Sequence, residues 1–158
     1  MELSTRPAGA APRMLSQAEF EEFVEKFVTP RMRETCVKLR HVYAFLTNKQ
    51  AYIARYARTD PPRLKQTRDA ARRFFLHTNP ETRRKELRLA SCRAHRIVVT
   101  SLLSLFKAVK QVHEECGHGG QDKVINLFNK YYYFYPITEC IRKIVKVCAL
   151  CLTSKLKP

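Results

Sequence analysis

Two histidines and two cysteines near the end of the chain are the residues most able to do chemistry. They are His113, His118, Cys148 and Cys151, in the spacing H-x4-H-x29-C-x2-C. Two imidazoles and two thiolates suit tetrahedral Zn²⁺, which prefers nitrogen and sulfur donors. In Cys148-Ala149-Leu150-Cys151 the two intervening residues make a tight turn, so both sulfurs point the same way. The histidine pair needs a further device. Five positions on a straight helix rotate by roughly 140°, which would aim the imidazoles apart. Gly117 supplies the device, because it can end the helix in a left-handed conformation and let His118 return. Gly119 and Gly120 extend that freedom. Four protein ligands would leave no open position for water, so the predicted site is structural. Cys116, between the two histidines, reads as a free thiol, with replacement of one ligand as the alternative.

The elements around these residues must bring the two pairs together. Thr100 or Ser101 is placed to cap a helix over Leu102 to His113, with Leu103, Phe106, Val109 and Val112 on its apolar side. Gln121 or Asp122 could cap a second helix with Val124, Leu127 and Phe128 inward. Tyr131 to Tyr135 supplies aromatic bulk before a turn at Pro136, read as core ahead of base stacking. Thr138 is expected to cap a third helix, carrying Ile141, Ile144 and Val145 inward and ending at Cys148. Cys140, Cys36 and Cys92 are expected in apolar surroundings. So small a unit buries little surface alone, and zinc binding of roughly 10–16 kcal/mol would supply much of its folding energy.

The stretch from His113 to Lys155 resembles the zinc-binding domain of retroviral and retrotransposon integrases, and most of all the gypsy-type version and its domesticated derivatives. The shared text is a first His, then Gly117-His118-Gly119-Gly120-Gln121-Asp122-Lys123, a helix, Tyr132-Tyr133-Phe134-Tyr135-Pro136, and a helix ending in Cys-x-x-Cys. Arg96-Ile97-Val98-Val99 and the helix after it match more loosely. The resemblance implies His113, His118, Cys148 and Cys151 as ligands, and roles in multimerisation and in contacts with element DNA. An integrase continues into a catalytic domain with three carboxylates that hold Mg²⁺. No such set follows Cys151 here, so the expectation is a binding module and not an enzyme. No nucleophile motif or phosphate-binding glycine loop suggests another chemistry.

Upstream, residues 1–14 are rich in Pro and Ala and read as a disordered leader. Ser16 with Glu19 forms a capping-box pattern before Phe20, Phe23, Val24 and Phe27 at helical spacing. Thr29-Pro30 interrupts. A second helical pattern carries Met32, Cys36, Leu39, Val42, Tyr43 and Leu46, then Tyr52, Ile53 and Tyr56. Thr59-Asp60-Pro61-Pro62 is a break. Arg63 to His77 is predicted to be a basic helix ending in Phe74, Phe75 and Leu76. Asn79-Pro80 breaks the chain again. Residues 85–89 and 95–99 alternate polar and apolar and predict one small β-hairpin. The expected fold is mainly α with that hairpin. A basic helical region spans residues 15–80, and a zinc-stabilised HHCC domain spans residues 84–158.

The 158 residues carry 30 Lys+Arg against 14 Asp+Glu, a net charge of +16. Residues 1–30 are net −2, residues 31–110 net +15, and the rest net +3. Such an imbalance costs self-repulsion that a polyanion relieves. The expected nucleic-acid contacts are Arg63, Lys65, Arg68, Arg72, Arg73, Arg83, Arg84 and Lys85, with Arg88, Arg93 and Arg96 beside them. His41, His77 and His95 sit among these basic residues with no assigned role. No apolar run reaches membrane-spanning length. The N-terminus lacks a secretory pattern, and six cysteines then favour a reducing compartment. Together these features predict a non-enzymatic nuclear module that holds Zn²⁺ and binds nucleic acid, DNA before RNA, with no membrane partner and no small-molecule substrate. A homo-oligomerisation or protein-interaction module is the alternative, and a decayed element fragment is a third reading.

Overall fold

The computed structural model describes residues 17–90, 96–117 and 120–148. The expected leader, Ser16, Cys92, Arg93, His95, His118, Gly119 and Cys151 lie outside the described residues.

The first half is a run of helices separated by side-chain caps. Helix α1 (Gln17–Phe27) is followed by α2 (Pro30–Thr47). Thr29 caps α2 by accepting from the Met32 N–H at 3.2 Å, and Pro30 opens the helix at a position whose N–H would have no partner. The sequence pattern over Met32 to Tyr56 runs on without a marked stop, yet Asn48 divides it. Asn48 is extended, ends α2, and caps α3 (Lys49–Tyr56) by accepting from the Ala51 N–H at 3.1 Å. Asp60 in turn caps α4 (Pro61–Ala71) through the Arg63 N–H.

The chain then departs from the expected basic helix. Helix α4 ends at Ala71, and Phe74–Thr78 forms a strand, β1. Bulky aromatic residues suit a half-buried pleat, and a partner strand overrides helix propensity here. That partner is β2 (Lys85–Leu89), paired antiparallel with Phe74 opposite Leu89 and Thr78 opposite Lys85. The loop between them is set by Asn79, whose Oδ1 accepts from the Glu81 and Thr82 amides, and by Arg83 at φ +60°.

The predicted hairpin is present: β2 pairs antiparallel with β3 (Ile97–Val98), Arg88 opposite Ile97. It is the middle of a larger sheet in the order β1-β2-β3-β4, whose last strand, Tyr132–Tyr133, runs parallel to β3. Helix α5 (Leu102–Glu115) precedes α6 (Gln121–Tyr131), which leads directly into β4, and α7 (Thr138–Val147) closes the described chain. The molecule is mainly helical with one small sheet.

Ser101 caps α5 as expected, accepting from the Ser104 N–H at 3.1 Å. The other two expected caps differ. Gly120 is the cap residue of α6, and Asp122 sits in its first turn, where a carboxylate favours the helix dipole. Ile137 holds the cap position of α7, and neither helix has a side-chain cap bond. The apolar face of α5 is also rotated from expectation. Leu105, Phe106, Val109 and Val112 are buried, whereas Leu103 is 44% exposed. Two residues along a helix turn about 200°, so Leu103 and Leu105 cannot share a face.

The core runs through both halves of the chain. Phe23 of α1 lies 4.9 Å from the Phe106 ring of α5, and Phe20 lies 5.8 Å from it. Lys110 of α5 pairs with Glu19 of α1 beside these rings. Tyr131, Tyr132 and Phe134 are buried with Phe128, Ile141 and Val145, as the core reading of the aromatic run requires, and Tyr135 is exposed.

Candidate metal centre and basic surface

His113 occupies the last turn of α5 and is buried at 5% exposure. A histidine so enclosed needs a polar partner or a metal, since burial of an unmatched polar group is costly. Helix α5 stops two residues later. Gly117 adopts φ +62°, and its N–H donates to the Glu114 carbonyl at 3.0 Å. Gly117 thus takes the left-handed conformation expected of it from the sequence. Cys116 lies within the turn, half-buried, with its Sγ 3.6 Å from the His113 carbonyl oxygen.

Cys148 stands at the other end of the candidate site. It is the C-cap of α7, half-buried, with extended backbone. Helix α6 packs against both α5 and α7, so one helix holds together the two elements that carry His113 and Cys148. His118 and Cys151, the other two expected ligands, lie outside the described residues. Among the described residues no three His, Cys, Asp or Glu side chains are grouped to hold a metal. The described part nevertheless fits zinc: a buried imidazole, a half-buried thiol, and a reversing glycine between the histidine positions.

Cys140 differs from Cys148. It is buried on the inner side of α7, and burial pushes its thiol up to about 12. It is a core residue, as expected. Cys36 is likewise buried in α2, with its thiol held above the ordinary value by the same cause.

The basic residues divide into exposed and engaged groups. Lys65 and Arg68 are exposed on α4 and Arg72 at its C-cap, spaced three and four apart and so on one side. Lys65 pairs with Asp69 at 3.1 Å, an exposed pair of small energetic weight. Arg63 is half-buried on a different side of the same helix. Arg83, Arg84 and Lys85 are exposed at the end of the β1–β2 hairpin. Arg73 is exposed but engaged: it donates to the Tyr133 hydroxyl at 2.8 Å and lies over the Phe74 and Tyr133 rings. Arg96 lies over Tyr133 as well and donates to the Asn129 carbonyl. Arg88 departs from the expected surface role. It is 4% exposed and pairs with Glu86 at 2.7 Å, because its place in the strand turns it inward.

One polar cluster had no signature in the sequence. His41 Nδ1 lies 2.9 Å from the Tyr52 hydroxyl, which lies 2.9 Å from the Thr67 hydroxyl. The three residues come from α2, α3 and α4, so the cluster exists only once those helices pack. No helix among the described residues is long and apolar enough to cross a membrane.

The family comparison falls on the element set just described. Residues 105–157 match the model of the integrase zinc binding domain, from the buried face of α5 through α6, β4 and α7 to beyond Cys151. No curated protein and no solved structure matches the chain. The last third of the chain is therefore an integrase-type HHCC domain.

Proposed function

We propose that this chain is a non-enzymatic, retroelement-integrase-derived module that acts in the nucleus and binds nucleic acid through the exposed basic residues of α4 and the β1–β2 hairpin. The observation that carries the reading is the joining of two features. An integrase-type HHCC domain follows a region of net charge +15 whose Lys65, Arg68, Arg72, Arg83, Arg84 and Lys85 are solvent-exposed. Guanidinium and ammonium groups in such an array hold backbone phosphates and carry little sequence information.

In this reading His113, His118, Cys148 and Cys151 hold one Zn²⁺. A zinc ion with four protein ligands supplies folding energy and no activated water. His113 contributes a buried imidazole at the end of α5, Gly117 turns the chain, and Cys148 contributes a thiol at the end of α7. The domain would thereby position α5, against which α1 packs.

The test has two parts. Zinc content is measured on the purified chain, with His113→Ala and Cys148→Ser variants alongside. One equivalent in the parent and a clear loss in each variant supports the ligand set. Duplex DNA binding is then followed by fluorescence anisotropy across salt concentrations. Each phosphate contact contributes roughly 0.9 to the log–log slope. A steep slope that becomes shallower in Arg68→Ala/Arg72→Ala is the expected result. Absence of binding at low salt would overturn the nucleic-acid reading and direct attention to protein partners.

A further inference from the structure

Helices α2, α3 and α4 meet at His41, and each brings an arginine to the meeting point. The hydrogen-bond chain from His41 through Tyr52 to Thr67 fixes the rotation of each helix about its axis. Tyr52 and Thr67 are buried at 5% and 4% exposure, so the chain is sheltered from competing water. The His41 ring is also held edge-on by Tyr52 and Tyr56. Arg40 adjoins His41, Arg55 lies three residues beyond Tyr52, and Arg63 lies four residues before Thr67. Spacings of three and four place side chains on one helical side. Arg55 and Arg63 therefore share the sides of α3 and α4 that carry the hydrogen-bond chain.

The electrostatics agree with this placement. Burial holds the His41 imidazole below its ordinary value, and the charges of Arg63, Arg40 and Arg55 push it the same way. The Asp60 carboxylate opposes them, while its Oδ1 accepts from the Arg63 backbone N–H as the cap of α4. Three guanidinium groups against one carboxylate leave a net positive charge at the junction. Arg55 lies over the Tyr56 ring at 5.2 Å, a contact that narrows the range of positions open to its guanidinium. Arg40 and Arg55 are exposed. When His41 Nδ1 accepts from Tyr52, the ring proton resides on Nε2 and is available to donate to an anion.

We propose that Arg40, Arg55 and Arg63, with His41 between them, form a phosphate-binding site at the junction of α2, α3 and α4. The site is separate from the Lys65, Arg68 and Arg72 side of α4. Guanidinium groups match phosphate geometry through paired N–H donors. The assignment of its ligand as a backbone phosphodiester rests on the nucleic-acid reading above. A free phosphate group offers the same chemistry from another source.

The experiment uses the full zinc-loaded chain. Labelled duplex DNA is titrated across salt for the parent, Arg40→Ala/Arg55→Ala, Arg40→Lys/Arg55→Lys and Arg68→Ala/Arg72→Ala. Inorganic phosphate and DNA are each added while the imidazole NMR signals of His41 are followed. Because Arg40 and Arg55 are exposed, these variants should keep the parent's circular dichroism and melting temperature. The expected result is a slope shallower by roughly 1.8 in the alanine pair, from two lost contacts. The lysine pair should keep the slope with weaker binding, and DNA and phosphate should each move the His41 signals. If the alanine pair binds DNA like the parent while Arg68→Ala/Arg72→Ala weakens, the site is overturned and the nucleic-acid reading stands. If the parent binds no DNA but phosphate moves His41, the site stands with free phosphate as its ligand and the nucleic-acid reading falls. If neither DNA nor phosphate moves His41, the site is wrong.

Discussion

The Arg73 guanidinium donates a 2.8 Å hydrogen bond to the Tyr133 hydroxyl, joining the chain just after α4 to the strand that follows α6. Sixty residues separate the two, and the bond joins the residue before β1 to β4. It gives a surface arginine a structural duty beside any contact with a polyanion. Tyr133→Phe should cost about 0.5–1.5 kcal/mol, the usual net worth of one hydrogen bond. It should leave the ring contacts of Arg73 and Arg96 in place. Arg73→Ala in the Tyr133→Phe background should cost less than Arg73→Ala in the parent. Urea unfolding of the four proteins checks this, and full additivity would show that the bond contributes nothing.

Gly117 is a conformational requirement and not a steric one. A Cβ added there meets no atom within 4 Å, yet its φ is +62°. Gly117→Ala should therefore cost about 1–2 kcal/mol from the left-handed backbone alone. Gly117→Asn should cost less, because asparagine tolerates that region. Thermal unfolding with zinc content measured in parallel distinguishes this order from equal losses, which would point to a role for space instead.

Cysteine chemistry separates core thiols from candidate ligands. The burial that pushes Cys140 up to about 12, and Cys36 up from 9.0, keeps both protonated and shielded. Iodoacetamide at mildly alkaline pH should modify half-buried Cys116 well before either of them, read by peptide mass mapping. Both thiols also make the folded state less stable at alkaline pH, in a defined way. Their contribution is fully present below about pH 9, the unfolded value, and is lost as pH rises through the higher folded values. Early labelling of Cys140 in the folded protein would contradict its placement.

His41 should make the helical half sensitive to mild acid. Its folded value lies below the ordinary 6.5 because of burial and of Arg63, Arg40 and Arg55, with Asp60 opposing. The unfolded chain thus binds a proton first as pH falls. Stability is complete above about pH 6.5 and declines as pH drops toward the folded value. His41→Gln should flatten that decline, measured as urea midpoints between pH 7.5 and pH 5, at conditions where DNA is absent. An unchanged slope in the variant would assign the acid sensitivity to other groups.

Much of the candidate site could be read from residue types. The spacing of His113, Gly117, His118, Cys148 and Cys151 predicts a reversing turn after a helix, and Gly117 adopts it. Only glycine makes that conformation cheap, so a local signal sufficed. The cap at Ser101 was equally local, as were the breaks at Thr29-Pro30 and Asp60-Pro61 and the β2–β3 hairpin. Asn48 carried a cap signal that the continuing apolar pattern obscured. Phe74 to Thr78 could not be assigned locally, because a short apolar run after a helix becomes a strand only when β2 lies beside it. The inward turn of Arg88, the Arg73–Tyr133 bond and the convergence at His41 share that reason. Each joins residues from different elements, so composition and spacing determined the chemistry available, while packing decided which side chains meet.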